Sequence, residues 1–309
     1  MGYRPLFDPP PAVPAIASGP GDRRDGGVYA YTPQILLAVN VALATGRPLL
    51  VRGPSGGGKS SLARNAARVL GWRYYERVIS SRAQAQDLLW EIDHLRRLQD
   101  AQLNLLRGGA GSYVQPGILW WAFDRASARH QAERSLGSDE PRPLDPNLGD
   151  DHPRAVVLLD EIDKADPDVP NNLLVPLGSL TFQVEEYGKV ATTEELAPLV
   201  VITTNDEREL PPAFLRRCVE LVIEVPDLAR LDEIGRLHLP QVPQRLRKRF
   251  AELILETLPG GAAPSPSIAE YLDTVKACHR LGVEPDTPGW ADLIKVTVWK
   301  HGRTGKTAG

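Results

Sequence analysis

Apolar and polar positions along this chain follow two periods, and the switch between them divides it into regions. Five short apolar runs read as strands: Pro48-Leu49-Leu50-Val51, Tyr74-Tyr75-Glu76-Arg77-Val78-Ile79, Ala155-Val156-Val157-Leu158-Leu159, Leu199-Val200-Val201-Ile202 and Val219-Glu220-Leu221-Val222-Ile223. The third run is unbroken, which is the pattern of a central parallel strand covered on both faces. Helical spacing fills the intervals. Ile35, Leu36, Val39 and Leu43 repeat behind Thr32-Pro33, a good N-cap and first-turn pair, and Thr45-Gly46 closes that helix. A long helix is predicted from about Gln86 to Leu106. It breaks at Gly108-Gly109-Ala110-Gly111-Ser112 and resumes after Pro116-Gly117, so the break around 108–117 predicts a short hairpin inside or beside a helix.

From Pro226 onward only helical patterns appear, around 228–239, 242–257, 266–281 and 289–301. The prediction is therefore a doubly wound α/β domain over 28–225 with a five-stranded parallel sheet, and a small helical domain over 226–309. Residues 1–27 are crowded with Pro and Gly and predict an extended or disordered arm; 134–153 turn to Asp, Glu, Pro and Gly and predict a mobile surface loop.

Composition narrows the classes. The chain has 309 residues, 42% of them hydrophobic, enough for a substantial core. Its net charge of −3 gives no overall attraction to nucleic acid or an anionic membrane. Cys218 and Cys278 stand far apart without metal-ligand spacing, so reduced core thiols are expected rather than a bridge, a zinc site or a nucleophile. No stretch approaches the roughly 20 apolar residues that span a bilayer, and the start has no signal-like pattern. A cytoplasmic protein is expected.

The most specific chemistry lies just after the first strand. Gly53, Pro54, Ser55, Gly56, Gly57, Gly58, Lys59 and Ser60 match G-x-x-x-x-G-K-[ST], and Ser61 opens the helical pattern that follows. Glycines let successive N–H groups and the positive end of a helix dipole approach a phosphate. Lys59 adds a mobile charge, and the Ser60 hydroxyl suits Mg²⁺ bridging the β- and γ-phosphates. A bare Gly-rich turn before a helix is the plainer alternative.

Asp160-Glu161 follows the apolar run 155–159, so both carboxylates emerge at the carboxyl edge of the sheet. Asp160 is placed to hold Mg²⁺ and Glu161 to orient or deprotonate a water attacking the γ-phosphate; a solvated acidic turn is the other reading. Thr203-Thr204-Asn205 ends the next strand, and Asn205 offers an amide for the water or the γ-phosphate, or else a common strand-ending turn. Arg216 and Arg217 precede the fifth strand and offer charge to a transferring phosphoryl group, or a surface ion pair.

The order Gly-Pro-Ser-Gly-Gly-Gly-Lys-Ser, Leu-Leu-Asp-Glu-Ile-Asp-Lys-Ala, Ile-Thr-Thr-Asn, Pro-Ala-Phe-Leu-Arg-Arg resembles the AAA+ ATPase superfamily over about residues 28–300. Within it the chain looks most like the MoxR-like and dynein-related branch, since Tyr113-Val114-Gln115-Pro116-Gly117-Ile118-Leu119 resembles the stretch after that branch's helix-2 insertion. The resemblance implies an αβα P-loop NTPase with a helical lid, Walker A at 53–60, Walker B at 155–161, sensor 1 at Asn205 and an arginine finger at Arg217 beside Arg216. It also implies ATP and Mg²⁺, a hexameric homo-oligomeric ring, and chaperone-like remodelling of a protein partner, often one with a von Willebrand factor A domain. One departure stands out: where that family's lid carries a sensor 2 arginine, Pro285 to Leu293 has none, so lid contact with the γ-phosphate is weak, carried by another residue such as Lys295, or absent.

Three other activities fit parts of the sequence. A P-loop kinase needs an acceptor site and an arginine-rich lid. A nucleotide-gated scaffold would bind ATP with little turnover. A nucleic-acid motor would use the basic cluster Arg245, Arg247, Lys248 and Arg249, which a solvated helix face also explains. Trp120, Trp121 and Phe123 are expected in the core rather than in a partner-binding patch.

Overall fold

The computed structural model describes residues 3–14, 26–105, 109–135, 145, 147, 149–256 and 267–297. In chain order the elements begin with α1 (Pro33–Thr45), β1 (Leu49–Arg52), α2 (Lys59–Leu70), β2 (Arg73–Val78), α3 (Ala85–Leu89), β3 (Trp90–Ile92) and α4 (His94–Gln102). Then come β4 (Val114–Pro116), α5 (Ile118–Phe123), α6 (Arg125–Ser135), β5 (Ala155–Asp160), α7 (Asp168–Ser179), β6 (Thr181–Val184), β7 (Gly188–Ala191) and β8 (Leu199–Thr204). The last are α8 (Pro212–Leu215), β9 (Val219–Val222), α9 (Leu228–His238), α10 (Gln244–Glu256), α11 (Ile268–Leu281) and α12 (Pro288–Thr297). Two compact units form. The first comprises residues 1–8, 32–52 and 66–222; the second comprises 9–31, 53–65 and 223–309.

The first unit is built on a five-stranded sheet in the order β2-β5-β8-β1-β9, with every neighbouring pair parallel. This is the doubly wound α/β sheet the apolar runs predict. β5 and β8 are buried at every residue, as strands covered on both faces must be. Because the strands are parallel, β1, β5 and β8 all end at one edge, at Arg52, Asp160 and Thr204. Thr32 caps α1 by accepting from the Ile35 amide at 3.2 Å, and Gly46 ends it at φ 64°.

The long helix predicted over 86–106 is interrupted. α3 stops at Leu89, and Trp90 turns extended so that Trp90–Ile92 pairs antiparallel with Val114–Pro116. Asp93 then restarts a helix by accepting from the Arg96 amide at 2.9 Å. The helical pattern is thus first interrupted at Trp90, ahead of the break predicted around 108–117, of which residue 108 lies outside the described residues. Its end is not a free loop either: Tyr113 and Val114 are buried, and the Tyr113 hydroxyl donates to Asp100 at 3.0 Å. Trp120, Trp121 and Phe123 lie in the core, as expected; Trp120 is fully buried, meets Tyr187 edge-on at 4.6 Å and donates its indole N–H to Ser127 at 2.7 Å.

Residues 3–14 carry no helix or strand, but Phe7 is buried and shares two hydrogen bonds with the Asn40 side chain, at 2.8 and 2.9 Å. Residues 15–25 of the predicted arm and 136–144, 146 and 148 of the predicted mobile loop lie outside the described residues. Elsewhere that loop is tied down: Asn147 bonds the backbone of Tyr74 on both sides, accepting at 2.9 Å and donating at 3.0 Å, as a further strand residue would.

In the second unit α9 to α12 enclose their own core around Leu231, Phe250, Tyr271, Val275 and Trp290, with the Phe250 and Trp290 rings stacked at 3.9 Å. Ser267 and Glu270 form a capping box that starts α11, and Gly282 ends it. Cys218 and Cys278 are free thiols, and burial pushes their pKa values up to about 12 and about 11. Among the described residues no helix is long and apolar enough to cross a membrane.

Candidate functional site

The phosphate loop belongs to the second unit. Gly53 at φ 141° sits so close to Ile223 that an added Cβ would lie 2.4 Å from its carbonyl oxygen, and Gly58 holds φ 86°. An L side chain fits neither conformation, so the backbone itself remains exposed to an anion. The Lys59 ammonium lies 2.8 Å from the carbonyls of both Gly53 and Pro54, folded back over the loop it serves, and the side chain is buried. α2 begins at Lys59, which directs the positive end of its dipole toward the loop. An open backbone cradle, a lysine and a helix N-terminus fit a polyphosphate.

The same unit lines the loop with apolar and polar neighbours. Gly58 faces Tyr29, whose ring would lie 3.7 Å from an added Cβ, and Asn65 of α2 donates to the Gly26 carbonyl at 2.7 Å. Ala30 is buried with Ile234 and Leu237 of α9. The residue of α11's N-terminus against the loop is Ser267: a Cβ on Gly56 would lie 2.6 Å from the Ser267 Cβ. The stretch 285–293 does not supply this contact; Trp290 and Leu293 face the core of the helical unit, and Lys295 pairs with Asp292 on the surface.

The acidic pair belongs to the first unit. Asp160 is the last residue of β5 and is buried; its carboxylate accepts from the Thr203 hydroxyl at 2.6 Å. Glu161 adopts a left-handed backbone, φ 62° and ψ 51°, which costs roughly 1 kcal/mol or more for a residue with a Cβ. Its amide donates to the same Thr203 oxygen at 2.9 Å. The Glu161 carboxylate lies between two donors: Lys164 at 2.6 Å on one oxygen and the Asn205 amide at 3.4 Å on the other. The hydrogen bond to Glu161 raises the Lys164 pKa above its usual value.

Asn205 thus stands beside Glu161. Its backbone amide and that of Glu207 donate to one oxygen of Asp163, at 3.2 and 3.0 Å, while the other Asp163 oxygen is buried without a partner among the described residues. Arg52 at the end of β1 pairs with Asp206 at 3.0 Å and also with Glu220. Thr203, Asp163 and Lys164 were not singled out from sequence. The available signals were weak: Thr203 suits any β-strand, and Asp163 and Lys164 read as a solvated turn.

Arg216 and Arg217 are both exposed. Arg217 donates to the Leu174 carbonyl of α7 at 3.2 Å, and neither arginine meets a carboxylate among the described residues. The basic cluster of α10 is largely neutralised: Arg245 pairs with Glu284 at 3.0 Å, Arg247 with Asp232 at 3.2 Å and Arg249 with Asp286 at 3.0 Å. Three of its four cations are thus engaged with acids, a poor phosphate-tracking stripe.

Among solved structures the chain is similar to two point mutants of RuvB from Thermotoga maritima. One is 14% identical with a TM-score of 0.49, over 85% of this chain and 68% of that one. The other is 15% identical with a TM-score of 0.47, over 85% and 67%. Identities and scores at this level bear on no residue or activity. No curated protein matches the sequence. The profile of the AAA domain, dynein-related subfamily, matches residues 48–218, more than half of the chain and the whole span from β1 to the arginines before β9. The chain therefore belongs to the dynein-related subfamily of AAA domains, within the AAA+ superfamily.

Proposed function

We propose that the protein is a Mg²⁺-dependent ATPase that works as a homo-oligomeric ring and couples turnover to chaperone-like remodelling of a protein partner, in the manner of MoxR-like proteins. The observation that carries the hydrolytic part is Glu161, a carboxylate at a strand end beside the Asn205 amide, next to a buried Asp160, in a chain that also holds a complete phosphate loop. A kinase requires no such paired carboxylate and amide. In this reading the backbone of 53–61 and Lys59 would bind the triphosphate, and Ser60 and Asp160 are each candidate ligands for Mg²⁺, which when bound would supply charge to offset repulsion between phosphates. Glu161 turns from Lys164 to a water and accepts its proton, and the Asn205 amide orients that water or the γ-phosphate. Arg217, with Arg216 beside it, serves the nucleotide of a neighbouring copy, which suits an exposed guanidinium without an acidic partner among the described residues.

The ring, its six-fold number and a partner with a von Willebrand factor A domain rest on the family resemblance. Two free thiols suit a reducing, cytoplasmic compartment. Phosphate release from ATP by the purified protein, measured beside Lys59→Ala, tests the enzymatic core. The expected result is turnover that requires Mg²⁺, with ATP binding lost by calorimetry in Lys59→Ala. Equal ATP affinity in the two proteins would remove the phosphate-loop assignment. Stimulation of turnover by a candidate partner protein tests the remodelling role; stimulation by DNA or RNA instead would replace it with a nucleic-acid motor.

A further inference from the structure

The ends of β5 and β8 hold each other by a reciprocal set of side-chain bonds that begins where their backbone pairing stops. The last paired residues are Leu159 and Ile202. One step further, the fully buried Thr203 of β8 donates its hydroxyl to the Asp160 carboxylate at 2.6 Å and accepts from the Glu161 amide at 2.9 Å. In return Asp163, just past β5, accepts the amides of Asn205 and Glu207 at 3.2 and 3.0 Å. Each loop's side chain thus satisfies the other loop's backbone, and the two bracket the Glu161 to Asn205 contact at 3.4 Å.

A hydroxyl that donates to one residue and accepts from the next fixes both the direction of the first side chain and the backbone of the second. That constraint matters most at Glu161, whose left-handed backbone would relax without it. Asp163 is buried and leaves one oxygen without a partner among the described residues, an unfavourable arrangement for a residue kept for stability alone.

We propose that Thr203 and Asp163 are positioning residues: they lock the Asp160-Glu161 loop to the Asn205 loop so that the metal ligand, the base and the amide move as one body. The inference rests on the ATPase reading above, and its function is to keep the base and the amide in register during turnover rather than to bind nucleotide.

The experiment compares Thr203→Val, which is nearly isosteric and has no hydroxyl, with Thr203→Ser, which keeps it, in the full chain. Two readouts are taken: amide hydrogen exchange at Glu161 and Asn205 without nucleotide, and kcat with ATP affinity. Thr203→Val is expected to speed exchange at Glu161 by about tenfold or more. It should lower kcat by about 10²-fold with ATP affinity within a few-fold of wild type, because misplacement of a catalytic group acts on the reacting geometry. Thr203→Ser should restore both. Asp163→Asn, which keeps an acceptor, should stay near wild type, while Asp163→Leu should loosen the Asn205 and Glu207 amides. Unchanged exchange in Thr203→Val, or kcat within twofold of wild type, would overturn the proposal, as would a Thr203→Ser variant as slow as Thr203→Val. If Asp163→Leu does not fold, the Thr203 pair decides alone. A wild-type protein without turnover would overturn the ATPase reading instead, and the exchange measurements would still decide whether the clamp exists.

Discussion

Among single residues the chemistry depends on few side chains, each in an unusual place. Arg217 is exposed, tied only to the Leu174 carbonyl, and free of acidic neighbours among the described residues. If it completes a neighbour's site, it contributes to the transition state more than to ground-state binding. Arg217→Ala is then expected to lower turnover by about 10³-fold with ATP affinity nearly kept. Mixed with Lys59→Ala, which retains a usable arginine, it should regain partial hydrolysis at mixed interfaces, read as steady-state ATPase against mixing ratio. Flat, near-zero activity in verified mixed assemblies would place Arg217 outside catalysis or within its own site. The residues with a spacing rule, Gly53 to Ser60 and the acidic pair, were legible in the sequence because the chemistry demands that spacing. Thr203 and Asp163 were not, since a β-branched strand residue and a turn aspartate acquire their roles only when two distant strand ends lie side by side.

Among helices and strands, the sheet and the four C-terminal helices could be read from periodicity, because their apolar faces are continuous. β3 could not. Three residues, Trp90–Ile92, lie inside a helical pattern, and only Asp93, an N-cap in mid-pattern, signals the restart. The hairpin of β6 and β7 also went unread, although Phe182, Val184 and Val190 alternate into the core around a turn with Glu186 at φ 63° and Gly188 at φ 118°. α4 and α5, on either side of β4 in the chain, should differ sharply in tolerance. Trp120→Ala, at a fully buried ring with a bonded indole, is expected to cost about 3–5 kcal/mol. Leu95→Ser with Leu98→Ser on α4, 67% and 57% exposed, should change stability by about 0.5 kcal/mol or less each. Chemical denaturation checks both. A strong loss from the α4 pair would mean that this face is covered.

Across the molecule, the proposed function draws phosphate binding and water activation from different stretches of chain: a glycine loop continuing β1, and strand ends at Asp160 and Thr204. Family membership and the five-stranded sheet were visible in the sequence, since the motifs appear in a fixed order along it. The nearness of Ser267 to Gly56 could not be read from the sequence, because a serine in a Pro- and Ser-rich stretch carries no spacing rule. Everything proposed for turnover depends on Glu161 acting on water and not on nucleotide binding. Incubating Glu161→Gln with Mg²⁺ and radiolabelled ATP, separating the protein and identifying the retained nucleotide decides the matter. The amide is nearly isosteric but a poor base. Uncleaved ATP should be held at wild-type affinity, with release of phosphate reduced by at least about 10²-fold. Release of phosphate by Glu161→Gln at the wild-type rate would contradict that role.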